Sequence, residues 1–140
     1  MNKPPAWFTV VAVVALLWNF VGLIAVGMDM SLSPSDIAAL PADQQALHAA
    51  RPGWSIAGSA LAVVAGTLGC LFLLLKRRWA LWAFALSLLG IVLQDIGLFG
   101  IAGASQSLGS AVVGMQALVA FIAVCLLMLS RKAISSEWLR

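Results

Sequence analysis

Four uninterrupted apolar stretches, Ala6–Met28, Trp54–Leu75, Trp79–Gly103 and Gly109–Ser130, make up most of this chain, and each is about as long as a bilayer is thick. A helix rises ~1.5 Å per residue, so about 20 residues cross a ~30 Å hydrocarbon core. None of the stretches contains proline, and Asp95 is the one charged side chain in any of them. Lipid offers unpaired backbone groups no partner, so each stretch is predicted as an α-helix; the alternation of a membrane barrel is missing. The expected fold is therefore an all-α integral membrane protein, a four-transmembrane-helix bundle in a single domain over residues 1–140. Composition agrees: 63% of the 140 residues are hydrophobic and 9% charged, against about 25% charged in soluble domains. So short a chain could not bury that much apolar surface in water.

Basic residues set the orientation, because short cytoplasmic loops are enriched in Lys and Arg. With four crossings, Lys3, Lys76, Arg77, Arg78, Arg131, Lys132 and Arg140 share one side, and only Arg51 lies on the other, among Asp29, Asp36, Asp43 and His48. Both ends are thus expected in the cytoplasm and the protein in a bacterial inner membrane. Trp7, Trp79 and Trp82 at one interface and Trp54 at the other fit as anchors. The first stretch follows Lys3 as a signal peptide would, but its apolar run is too long and no Ala-x-Ala site follows, so it reads as a retained span.

The outer loop 29–53 is predicted to hold two short helices, one capped by Ser35 and one starting at Pro41 and stopped by Pro52. Leu40 and Leu47 give it an apolar side suited to the bundle mouth. The turn at Lys76–Arg78 makes the second and third spans antiparallel neighbours, and Ala104–Leu108 forms another short connection. The tail 131–140, with Ile134, Trp138 and Leu139 among charges, reads either as an interfacial helix or as a frayed end. Asn19-x-x-Gly22-Leu23 and Gln94-x-x-Gly97-Leu98, with similar Cys-Leu-rich runs ending in basic pairs, outline a two-hairpin internal repeat. Leu-rich helices also show such likeness by chance.

Asp95 is the most informative residue, since a carboxylate in hydrocarbon costs at least ~2.5 kcal/mol and usually faces a bundle interior. It falls ~6 Å beyond the middle of its span, on the side away from the basic residues. Asn19, Gln94, Gln116 and Ser59 lie near that level, and Arg51 can reach down from the rim. This polar layer reads as a ligand, ion or proton site, or as interhelical hydrogen bonding around a protonated or paired Asp95. Gly58, Ala62, Gly66 and Cys70, four apart, form a small-residue stripe for close helix packing, within the bundle or as a dimer seam. Gly97, Gly100 and Gly103 can permit close contact or loosen the third span. Cys70 and Cys125 are expected to be buried inert thiols. One histidine, in the loop, supports neither a bis-histidine haem nor any other metal site, and no cofactor is expected. No GxSxG, Walker A, HExxH or dinucleotide pattern occurs, and Asp95 has no second acid for acid–base work, so an enzyme is not expected.

Leu17-Trp18-Asn19-x-x-Gly22, the loop Ala-Asp-Gln-Gln-x-Leu-x-x-Ala-Arg-Pro-x-Trp (Ala42–Trp54) and Lys-Arg-Arg-Trp-Ala (Lys76–Ala80) together give the chain a family likeness. Over most of its length it resembles small four-helix bacterial inner-membrane proteins often labelled sugar transporters. His48 stands where that family commonly has Tyr, so a ring-hydroxyl role there is not carried over. Small multidrug exporters match less well, as they need a Glu in the first span. Two functions are weighed. The first is a small transporter-like or ligand-binding bundle acting as a homo-oligomer, its dimer completed through the Gly58–Cys70 stripe and its small-molecule site centred on Asn19, Asp95 and Gln116. The second is a non-catalytic accessory or lipid-binding subunit of a larger membrane complex, using loop 29–53 and the stripe. Membrane lipids are partners in either, and nucleic acid in neither.

Overall fold

The computed structural model describes residues 3–50, 52–101 and 110–139, and among these every regular element is helical. In order they are α1 (Ala6–Met30), α2 (Pro34–Ala38), α3 (Ala42–Ala50), α4 (Gly53–Leu74), α5 (Trp79–Asp95) and α6 (Ser110–Ser135), with α5 continuing into a π-helical turn, Ile96–Ile101. Four of the helices, α5 with its extension included, are long and apolar enough to span a membrane. They carry large apolar side chains outward, such as Val21 (65% exposed), Trp82 (71%) and Phe121 (65%). In water, apolar surface on that scale would drive association. Against lipid it is the expected outer face. The turn expected at Ala104–Leu108 lies outside the described residues.

The helices pack in chain order, α1 on α4, α4 on α5 and α5 on α6, with the α4–α5 hairpin the most intimate pair. Small residues make that closeness. A Cβ added at Gly90 would stand 2.6 Å from the Ala62 backbone nitrogen, and one at Gly58 would stand 2.8 Å from Leu93 Cβ. Two interhelical hydrogen bonds reinforce the hairpin: Ser87 Oγ donates to the Ala62 carbonyl (2.7 Å) and Ser55 Oγ to the Gln94 carbonyl (3.1 Å). Such bonds average about 0.6 kcal/mol in membrane bundles, so the close backbone approach contributes more. Gly58, Ala62, Gly66 and Cys70 are all buried within the single chain. This corrects the dimer seam, because the stripe is already covered by α5 and by Asn19 of α1.

The helix ends at the Lys76–Arg78 side close in a shared way. The Arg77 amide donates to the Phe72 carbonyl (2.8 Å) and the Lys76 amide to the Leu73 carbonyl (3.1 Å), with Lys76 at φ 57°. At the end of α6 the Trp138 amide donates to the Ala133 carbonyl (2.8 Å) and the Glu137 amide to the Ile134 carbonyl (3.0 Å), with Glu137 at φ 61°. Both are Schellman ends with a charged residue in the left-handed position that glycine prefers. Lys76→Gly and Glu137→Gly are each expected to stabilise the fold by about 1 kcal/mol. SDS titration of helicity in mixed micelles would show a later midpoint for both.

That second turn corrects the expectation for the tail. Residues 131–135 prolong α6 rather than forming a separate interfacial helix, and the chain then folds back onto α1. The Trp138 ring packs edge-on against Phe8 (5.4 Å between centroids) and Trp7 (5.7 Å), Leu139 is buried, and Lys132 Nζ stands 5.7 Å over the Trp7 ring. Phe8, Ala12, Leu73, Ala80, Phe84 and Leu126 continue this cluster inward.

At the opposite end, Ser33, not Ser35, caps α2. Its hydroxyl accepts from the Asp36 amide (3.2 Å) while its own amide donates to the Asp36 carboxylate (3.0 Å). Bonding from Ser33 to the charged form holds the Asp36 carboxyl below the usual carboxylate range. Gln45 ties α3 back by donating to the Leu40 (2.7 Å) and Ala38 (3.0 Å) carbonyls, and His48 Nε2 lies 3.4 Å from Asp29 Oδ1 at the end of α1. The repeat-related cysteines take different environments, Cys70 buried and Cys125 exposed. Cys125 therefore corrects the expectation of two buried thiols: it lies on the outward side of α6.

Candidate functional site

Because α1 and α6 each pack mainly on the central hairpin and meet each other at the Trp7–Trp138 end, a cleft opens between them over the remaining length. Its volume is about 380 Å³, within the range of small-molecule sites. Trp18 and Gly22 of α1 form one wall, Gln116 and Val119 of α6 the other, and Gly66 and Ser87 of the hairpin lie on the floor. Among the described residues, no Asp, Glu, Lys, Arg or His lines it.

Three side-chain amides, one from each of three helices, line it. Asn19 Nδ2 donates back to the Ala15 carbonyl (2.9 Å) and points toward Cys70 Sγ (3.6 Å), which fixes the amide across α4. Gly66 lies directly beneath it: a Cβ there would collide with Asn19 Oδ1 and come within 3.2 Å of Ser87 Oγ. Absence of a side chain at Gly66 thus seats the Asn19 amide at the cleft floor. Across from it, Gln94 Nε2 donates to Gln116 Oε1 (2.7 Å), joining α5 to α6. These bonds leave Asn19 Oδ1 as an acceptor and Gln116 Nε2 as a donor, neither taken up among the described residues.

Of the residues expected in the polar layer, Asn19, Gln94 and Gln116 line the cleft, Gln94 and Gln116 paired beside Gly58 and Asn19 about two turns along α4 beside Gly66 and Cys70. Asp95 does not line the cleft. Neighbouring residues on a helix point about 100° apart, so with Gln94 turned to the cleft, Asp95 turns away, and its Oδ1 is buried without a hydrogen-bond partner among the described residues. Ser59 is buried on α4, its hydroxyl donating to the Ser55 carbonyl (3.4 Å). Arg51 lies outside the described residues. The widened turn begins right after Asp95, and Gly97 within it lies against Ser55, where any Cβ would clash. π-turns are frequent at functional sites, and here one re-aims the end of α5 beyond the amide layer.

Sequence reasoning did not single out Ser87, Phe84, Gly66 as a seat for Asn19, or the Trp18 rim. A hydroxyl within the apolar run 79–93 of the third span was the available signal for Ser87. Which apolar residues would line a void depends on how far α1 and α6 splay, and no residue pattern states that. Comparison with protein-family models, with curated proteins and with solved structures finds no match to this chain.

Proposed function

We propose that this is a small multi-pass protein of a bacterial inner membrane that binds an uncharged small molecule in the cleft between α1 and α6, as a transporter-like or ligand-binding bundle. The observation that carries the reading is that Asn19, Gln94 and Gln116 line one cavity that no charged group lines among the described residues. Sites of this type combine an apolar wall with a few placed polar groups that fix orientation. Polar side chains used only as interhelical glue would satisfy one another; here Asn19 Oδ1 and Gln116 Nε2, both on residues lining the cleft, are not taken up among the described residues. Seven basic residues against one support both ends being cytoplasmic.

Thermal unfolding in maltoside micelles, run across a panel of uncharged polyols, sugars and glycerides, tests this. A binder present at a hundredfold excess over its Kd stabilises by about 2.7 kcal/mol. Filling the cleft with Ala123→Phe should abolish the shift, and Asp95→Asn should keep it. A panel that yields no shift sensitive to Ala123 refutes a ligand in this cleft.

A further inference from the structure

We propose that the basic end of the bundle binds an acidic phospholipid, its phosphodiester held by Arg77 and Arg78 at the α4–α5 turn and its glycerol and upper acyl chain lying against Trp79 and Trp82. This seat is separate from the cleft, whose lining includes none of these residues.

Charge is the first support. Leu73 and Ala80, on either side of the turn, share one buried cluster with Phe8 of α1, Ala133 of α6 and Leu139 of the tail, so the basic residues near them gather at one end. Lys3, Lys76, Arg77, Arg78, Arg131 and Lys132 stand there, and among the described residues of this end Glu137 is the one acid. Among the described residues no carboxylate lies in salt-bridge reach of these six; the contact of that kind is His48 with Asp29, at the opposite end. Orientation in the membrane needs only that basic residues be present. Pairing with Glu137 would not disturb it, yet none forms, and the surface is left with a strong unbalanced positive charge.

Shape is the second support. The bond from the Arg77 amide to the Phe72 carbonyl (2.8 Å) and the edge-on contact of the Phe72 and Trp79 rings (5.8 Å) pin the turn, so both guanidinium groups rise from a fixed base. Arg77, Arg78, Trp79 and Trp82 are all exposed. Trp79 and Trp82, three apart, share a face of α5, with Trp82 about 4.5 Å deeper and exposed Leu86 a further turn down. A guanidinium gives a phosphate two parallel hydrogen bonds, and indole rings favour the headgroup level. The order of cation, ring and aliphatic side chain along α5 thus follows the order of phosphate, glycerol and acyl chain in a phospholipid. A choline lipid offers the same phosphate but brings its own cation, which this surface repels. Free phosphate would gain the arginines but not the rings.

Native mass spectrometry of the full chain from a neutral detergent, offered dioleoyl-phosphatidylglycerol, dioleoyl-phosphatidylcholine or inorganic phosphate, tests this. The phosphatidylglycerol adduct is expected to persist where phosphatidylcholine is stripped, with phosphate at background. Each basic side chain beside acidic lipid is worth about fivefold in affinity, so Arg77→Gln with Arg78→Gln should weaken the adduct about 25-fold. Arg77→Lys with Arg78→Lys keeps the charge but not the fork and should lose only part of that. Ala123→Phe, which fills the cleft, should leave the adduct intact. Raising ammonium acetate from about 50 to about 500 mM should weaken it in the wild type, a readout that needs no variant to fold. No phosphatidylglycerol adduct, equal retention of both phospholipids, or an adduct indifferent to salt overturns the proposal. So does one unchanged by Arg77→Gln with Arg78→Gln in protein that keeps its helical signal. Phosphate bound as firmly as the lipid overturns the lipid assignment. An adduct lost with Ala123→Phe overturns the seat at the turn while the cleft reading stands.

Discussion

Replacing Gly90 by valine is expected to cost about 3 kcal/mol or more, the upper range for overpacking a tight interface. At Gly90 the α4 and α5 backbones touch: a Cβ would meet the Gly58 carbonyl oxygen and the Ala62 nitrogen and Cα, the last at 3.0 Å. Backbone cannot rotate aside as a flexible side chain can, so the hairpin must separate. Separation would also strain the Ser87–Ala62 and Ser55–Gln94 hydrogen bonds beside the contact. Even Gly90→Ala should be clearly destabilising, as the first carbon is the one that collides. Gly27→Ala is the control: nothing lies within 4 Å of its Cβ position, and alanine in a helix gains up to about 1 kcal/mol over glycine. SDS titration in mixed micelles should move the Gly90 midpoints earlier and leave Gly27→Ala unchanged or later. Equal midpoints for Gly90→Val and wild type would mean that the hairpin is not this close.

Ending the chain at Ser135 should cost a similar amount by a different route. It removes Trp138 and Leu139, which join the start of α1 to the end of α6. Truncating a buried Leu or Trp costs about 2–5 kcal/mol. The two native thiols report the effect. Cys125 faces outward from α6, where lipid or detergent covers it, and its reaction with maleimide should not change between variants; Cys70 is buried beneath Asn19 and should react slowly in the intact chain. With the contact gone α1 can lift away, and Cys70 labelling, resolved by peptide mass, should rise about tenfold or more. Cys70 that stays protected after truncation would show that α1 is held by α4 alone.

Much of the scaffold was legible because lipid leaves so few options. Four long apolar runs, a three-residue basic turn and glycine spacing in the second span predict four helices and a close central pair, and all four helices are present. The small-residue stripe was readable as a contact but not as to its partner, since a glycine records only that something approaches. Asn19, Gln94 and Gln116 could be placed along their spans by counting ~1.5 Å steps, although Asn19 packs about two turns of α4 away from the other two rather than at their level. Their direction could not be, because a single π-turn or a small rotation of α5 decides whether Gln94 or its neighbour Asp95 faces inward. Asp95 drew attention for its cost in lipid, yet cost identifies an unusual residue, not the cavity beside it. The tail was misread for a related reason. Trp138 and Leu139 look amphipathic in sequence, and only the left-handed turn at Glu137 sends them back onto Phe8 instead of along the membrane surface.

The chain-order packing has a bearing on biogenesis. Each extensive contact joins a helix to the one made just before it in the membrane, so every new segment finds its neighbour already inserted, without a long loop to close. Among the described residues, the earliest and latest segments are bridged chiefly at the far end of the chain, by residues 138 and 139 and by Lys132 over Trp7. During synthesis the first helix is therefore held on one flank alone, and its other flank stays open to lipid until those residues emerge. A stalled or shortened product would carry three well-joined helices and one loosely attached, a form that membrane proteases could distinguish from the finished protein.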